Sequence, residues 1–406
     1  MQKEYRVVRG ASVEGGSRSA LDPDEILAAA LKRSGRRDFA DRSFVLPLRR
    51  LIATCNAEAH LSAFGRRALR FDVLRGLKNI LELDAIEEQQ PLVRSRPLDR
   101  PIFITGMPRS GTTFLHRLLL QDGTTAAPLV WQLVYPYLAR RGRLSASLGR
   151  LGVSAQLQFM RLIAPDLNDL HAISVDAPEE CSDLTAQVFQ SLRYEDTYRV
   201  PTYRRWLEGY GHRDAYRFHR RFLQHLDSQV PGRRWILKSP DHIFSLDDLR
   251  AVYPDACFVF VHRDPVRVMG SVARLTEVLR KPFTRSVDLA EIGRHVSACW
   301  IDGAERMIRA ADAMGPVLHL HYREVMAAPL DAARAVLHHA GLELGPDAEA
   351  RMQGWLRRAP ANASTPRRYD LAMYGLDPHA LREQFSRYTA RFGVELEWHG
   401  NSRSWV

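Results

Sequence analysis

The sequence predicts an α/β fold: a central parallel sheet with helices on both faces, preceded by a helical N-terminal extension. Three observations carry this expectation. Four short apolar runs of strand type occur: Ile102-Phe103-Ile104, Trp235-Ile236-Leu237, Phe258-Val259-Phe260-Val261 and Val317-Leu318-His319-Leu320. Longer stretches with helical spacing separate them, the alternation that produces parallel strands. Each run ends in polar or charged residues: the turn Gly106 to Thr113, then Lys238, His262 with Arg263, and His321 with Tyr322. Open α/β sheets bind ligands beyond the carboxyl ends of their strands, so the four endings point to one site.

In chain order, residues 1–20 are polar and carry Gly and Ser, which reads as a loose leader. Ile26, Leu27, Ala30 and Leu31 share one face of a helix predicted over 22–34, and further helices are predicted over 45–64 and 66–84. The Pro-containing stretch 89–101 connects them to the first strand. The chain thus divides into a leader with a helical extension, 1–95, and an α/β domain, 96–406, with a mostly helical insertion at about 129–230. Within the insertion, Leu129 to Tyr137 is dense in large apolar groups, either core or the wall of an acceptor pocket. The polar turn His171 to Cys181 leads into a helix beginning near Pro178. Glu179 and Glu180 in its first turn suit the helix dipole.

Composition narrows the function. A hydrophobic content of 45% over 406 residues is ample for a packed core. The net charge of +11 is spread along the chain without a dense run, which argues against a nucleic-acid binder. Cys55, Cys181, Cys257 and Cys299 lie far apart with no CxxC pair, so no metal is expected and a cytoplasmic location fits. The N-terminus lacks the apolar core of a signal peptide. No segment approaches the ~20 apolar residues of a membrane span, which leaves peripheral membrane contact open. The Arg- and Ala-rich composition fits a GC-rich bacterial genome.

The chemistry is concentrated in PIFITGMPRSGTTFLHRLL, residues 101–119. A strand, a glycine turn and a helix N-terminus make an anion cradle, with backbone N–H groups and the helix dipole aimed at one place. Gly106-x4-Gly111 has the spacing of a phosphate-binding loop, but Thr112 stands where a nucleotide triphosphatase has Lys. The cation has moved inside the loop, to Arg109. In the second segment, ACFVFVHRDPVRVMGSVARL at 256–275, Arg263 sits at a strand end and Ser271 about two helical turns further on. A charged fork and a hydroxyl so placed can grip one phosphate.

Together, Pro108-Arg109-Ser110-Gly111-Thr112-Thr113 and Arg263 with Ser271 resemble the two phosphate sites of sulfotransferases that use 3′-phosphoadenosine 5′-phosphosulfate (PAPS). The loop is similar to that family's 5′-phosphosulfate loop, and Arg263 with Ser271 to its 3′-phosphate site. Arg109 places the chain nearer the bacterial and tyrosylprotein branches than the cytosolic one, which usually carries Lys. The likeness continues through Lys238-Ser239-Pro240-Asp241-His242 and Tyr322-Arg323-Glu324 and covers roughly residues 100–395. It implies a P-loop-like three-layer fold. It also implies transfer of a sulfuryl group from PAPS, without a metal, to a hydroxyl of a small-molecule or lipid acceptor. The alternative is a P-loop small-molecule kinase or a non-catalytic nucleotide-binding protein. The missing loop Lys argues against the kinase, and Arg263 with Ser271 has no role in it.

The resemblance implies that Lys238 stabilises the leaving phosphate oxygen, that Tyr322 lies near the adenine, and that a late basic loop, here Arg367 or Arg368, closes the 3′-phosphate site. An acceptor hydroxyl needs a general base. The family's cytosolic members have a histidine two residues after the lysine; here that place is Pro240, and His242 is the first choice. Glu180, Glu179, His171 and His116 are the other candidates. The aromatic, apolar insertion favours a hydrophobic alcohol, phenol or lipid as acceptor.

Overall fold

The computed structural model describes residues 20–170, 173–229, 231–358 and 369–397. The chain opens with α1 (Pro23–Ser34), α2 (Val45–Glu58) and α3 (Ala63–Gln89), then β1 (Ile102–Gly106), α4 (Thr112–Leu119) and β2 (Thr125–Ala126). The insertion follows: α5 (Val130–Val134), α6 (Arg143–Ile163), α7 (Pro165–Leu170), α8 (Cys181–Thr185), α9 (Arg193–Thr197), α10 (Pro201–Tyr210) and α11 (Arg213–Asp227). Next come β3 (Arg234–Lys238), α12 (Leu246–Val252), β4 (Cys257–His262), α13 (Pro265–Arg280), α14 (Leu289–Ala313) and β5 (Val317–His321). The described chain closes with α15 (Tyr322–Ala327), α16 (Pro329–His339), α17 (Pro346–Arg358), α18 (Pro378–Gln384) and α19 (Ser386–Phe392).

The five strands form one parallel sheet in the order β2-β3-β1-β4-β5. All four strands expected from the sequence are present. β2 adds a fifth, pairing Thr125 with Arg234; two residues carry no periodicity to read. Side chains alternate across β1 as the pleat requires. Phe103 faces one core with Leu237, Phe258 and Phe222, while Ile102 and Ile104 face a second core with Leu118, Val336 and Leu337. Helices on both faces make three layers, the P-loop-like arrangement. The helical extension does not stand apart: Leu48, Leu51 and Leu77 share the larger core with Phe189 and Tyr203.

From β1 the chain runs to β2 and then β3 on one side before crossing to β4 on the other, so β1 marks the switch point where such sheets bind ligands. Gly106 ends β1 there with φ 148°, beside the backbone of β4. A Cβ on Gly106 would sit 2.3 Å from the Val261 carbonyl oxygen. Gly106→Ala therefore strains φ and pushes β1 off β4. Strain of this kind costs about 1–3 kcal/mol, and thermal unfolding should show a Tm lowered by several degrees. An unchanged Tm would mean that the sheet can open here without penalty.

Candidate active site

The cradle is built from the end of β1 and the start of α4. Arg109 takes a left-handed φ of 64°, and Gly111 follows with φ 89° as the N-cap of α4. These turns let the loop curl over the helix end. Ser110 is buried and donates its hydroxyl to the Met107 carbonyl at 2.7 Å, tying the loop to itself. Thr105 donates to the Ser239 carbonyl at 2.9 Å, which fixes β1 against the residues after β3. Thr112 and Thr113 open the helix, with their N–H groups at its positive end. A Cβ on Gly111 would meet the Tyr322 ring at 3.0 Å, so Tyr322 closes one side of the loop.

Three cations border this cradle. Arg109 donates from Nη1 to the Leu170 carbonyl at 2.8 Å, linking the loop to α7. Lys238 ends β3 almost fully buried, its ammonium ion-paired with the Glu180 carboxylate. Arg263 follows β4 and makes three hydrogen bonds. Nη1 reaches the Arg109 carbonyl at 2.6 Å; Nε and Nη2 grip Glu397 Oε1 and Oε2 at 2.8 and 2.9 Å. Its guanidinium also lies 3.7 Å from the centre of the Tyr322 ring. The Glu397 N–H in turn donates to Asp264 at 2.7 Å. This fork already reads a two-oxygen anion in the bidentate way that also suits phosphate. Ser271 is buried in the second turn of α13, on the same strand–helix unit as Arg263.

Further carboxyl groups lie near Glu180. Burial, then the charges of Asp196 and Glu180, push Asp241 well above the usual carboxylate range, and one of its oxygens is buried with no hydrogen-bond partner. Burial pushes Asp196 up to about 6. Glu179 is buried; its Oε1 accepts from the Glu180 N–H at 2.9 Å, so it shapes the turn that presents Glu180.

For His242, the first choice of base in the sequence, the structure gives a buried setting. The residues after Lys238 form a 3₁₀ turn, Pro240–Ser245, that carries His242 under the sheet. Its ring packs edge-on against Phe103, and Nδ1 bonds the Tyr216 hydroxyl at 2.8 Å. Nε2 is buried without a partner. Burial, then the nearby His219 and Lys238, hold its pKa far below the ordinary value. His116 is likewise a packing group: Nε2 bonds the Ile236 carbonyl at 3.0 Å, and burial pushes its pKa down to about 3.

His171, Arg367 and Arg368 lie outside the described residues. The structure brings together Arg109, Ser110, Gly111, Thr112, Thr113, Lys238, Glu180, Arg263 and Tyr322. The sequence reading missed Glu397 and Asp241. Nothing marks Glu397 out in sequence, because its partner is Arg263, far back in the chain. Asp241 had a signal, its place three residues past Lys238 at a strand end.

Residues 101–346 match the model of the Sulfotransferase family. The chain is 27% identical over 252 residues to the omega-hydroxy-beta-dihydromenaquinone-9 sulfotransferase Stf3 of Mycobacterium bovis, and equally to that of Mycobacterium tuberculosis. The match covers 60% of this chain but spans only 63% of those relatives' length. Among solved structures, sulfotransferase STF9 from Mycobacterium avium superposes with a TM-score of 0.81 at 28% identity, over 93% of this chain and 98% of that one. Sulfotransferase STF1 from Mycobacterium tuberculosis gives 0.79 at 30% identity, over 91% and 100%. With the glycine loop and all five strands inside the matched residues, the chain belongs to the sulfotransferase family.

Proposed function

We propose that this chain transfers a sulfuryl group from PAPS to the hydroxyl of a lipid or small-molecule acceptor. One observation carries the reading: Arg109, Lys238 and Arg263 surround a single glycine cradle at the ends of three adjacent strands, and a carboxylate sits on the lysine. The residues suit the donor. The cradle of Ser110, Gly111, Thr112 and Thr113 would hold the 5′-phosphosulfate, and Arg263 with Ser271 the 3′-phosphate. Tyr322 would flank the adenine, and Arg367 or Arg368 would close over the 3′ side. When bound, PAPS supplies an activated sulfur on a good leaving phosphate.

Glu180 is the proposed base, in place of His242. It takes the acceptor's proton as the acceptor oxygen bonds to sulfur and the bond from sulfur to the phosphate oxygen breaks. Lys238 and Arg109 meet the charge that gathers on that leaving oxygen, so they act mainly in the transition state. The relatives named for omega-hydroxy-beta-dihydromenaquinone-9 support a hydroxylated lipid as acceptor.

Binding separates this reading from a kinase. Adenosine 3′,5′-bisphosphate should bind over tenfold more tightly than adenosine 5′-phosphate, since a charged hydrogen bond contributes ~1.5–3 kcal/mol. Arg263→Ala should erase the difference. Calorimetry showing equal affinities, or tighter binding of ATP with magnesium, would sink the assignment.

Glu397 competes for the same fork, so Glu397→Gln should tighten binding of the 3′,5′-bisphosphate severalfold. Weaker binding in that variant would instead make Glu397 the group that orients Arg263.

Glu180→Gln should lower kcat by ~10²–10⁴, the usual scale for general acid–base catalysis, and leave nucleotide affinity intact. His242→Gln should lower Tm and keep kcat within a few-fold. Reversal of those two outcomes in a sulfate-transfer assay would return the base to His242.

A further inference from the structure

Five of the ten large apolar side chains that stand exposed among the described residues lie on one helix, α6. They are Leu144, Leu148, Leu151, Phe159 and Leu162, between 49% and 80% exposed. At 100° per residue they fall within about 80° of arc, a continuous stripe along the helix. The opposite face is the packed one: Ala146, Gly149 and Val153 are buried, and Ala146 and Val153 lie against Val130, Trp131 and Ala177. A helix packed on one side should turn polar residues to water on the other. α6 turns leucines.

Its charges are also one-sided. α6 carries Arg143, Arg150 and Arg161 and no acidic residue. The three arginines lie within about 20° of one another, on a single flank of the stripe. Arg150 leans over the Trp131 ring and bonds Asp176 at 2.8 Å, and Arg161 bonds the Ile173 carbonyl. An apolar stripe flanked by arginines on a helix of 21 residues is the pattern of a helix lying in a lipid–water interface.

We propose that α6 docks this protein on an anionic lipid surface, with the leucines entering the acyl boundary and the arginines meeting the headgroups. The charge favours this occupant over a second copy of the chain. Two copies paired antiparallel through the stripe would set one arginine flank against the other, and like charges there repel. The position of α6 gives the docking a use. Its packed face holds the segment that leads to Glu180, so the lipid surface would lie beside the element that carries the proposed base. The docking itself does not rest on the assignment of donor or acceptor.

Co-sedimentation of the full chain with vesicles tests it. The protein should bind phosphatidylcholine vesicles containing phosphatidylglycerol, bind pure phosphatidylcholine weakly, and lose binding as salt rises. A variant with Leu144→Gln, Leu148→Gln, Leu151→Gln and Leu162→Gln should lose at least tenfold in vesicle affinity while keeping its circular dichroism and Tm. Those residues are exposed, and Gln is a good helix former. Arg143→Gln should weaken binding to the anionic vesicles only. The proposal is overturned if the parent chain ignores anionic vesicles, or if the four-fold variant binds them equally well. Sedimentation equilibrium showing a dimer that the four-fold variant dissociates would overturn it too, giving the face to a second copy.

Discussion

A lysine ammonium held almost out of water must have an anion in reach, and Lys238 obtains one from Glu180. Much of the insertion serves that pairing. Val130 and Trp131 donate to the Ala177 and Val175 carbonyls at 3.0 and 3.1 Å, and the Glu179 N–H donates to the Pro128 carbonyl at 3.0 Å. These short bonds clamp the segment before Glu180 to α5, and α6 backs the clamp with its packed face. The turn holding Glu180 is therefore rigid without a strand of its own. A cation from the sheet and a carboxylate from the insertion meet because the lysine cannot be buried alone.

The same logic operates on the 3′ side. Arg263 is mostly shielded from water, and the Glu397 carboxylate satisfies its fork while Tyr322 covers its face. Each of these two cations at the crevice is thus neutralised by a group from another part of the chain, one from the insertion and one from the far C-terminal region. The electrostatics of the crevice tie the sheet to the insertion and to the C-terminal region.

How much of this is legible in sequence depends on range. The strands at 102–106, 234–238, 257–262 and 317–321 announce themselves as local apolar runs, and the cations at their ends follow by position alone. Arg109, Lys238, Arg263 and Tyr322 could be read off for that reason. Glu180 was visible only as one of several carboxylates, since its pairing depends on how the insertion folds back. The buried setting of His242 was not legible, because spacing gives distance along the chain but not the direction of a 3₁₀ turn. β2 is too short to register, and the exposed leucines of α6 look in sequence like any other core stripe.

The central position of β1 has a further consequence, for the order in which the chain can fold. β1 is bordered on both edges, yet its partners begin only at residues 234 and 257. The glycine loop is complete as sequence by Thr113, but no partner strand exists to hold it until β3 has been synthesised. Long-range parallel pairing is slow, because distant segments must close large loops before any contact rewards them. Through that interval β1 is an apolar strand with two open edges. It is the segment that a chaperone, or another unfinished chain, would meet first.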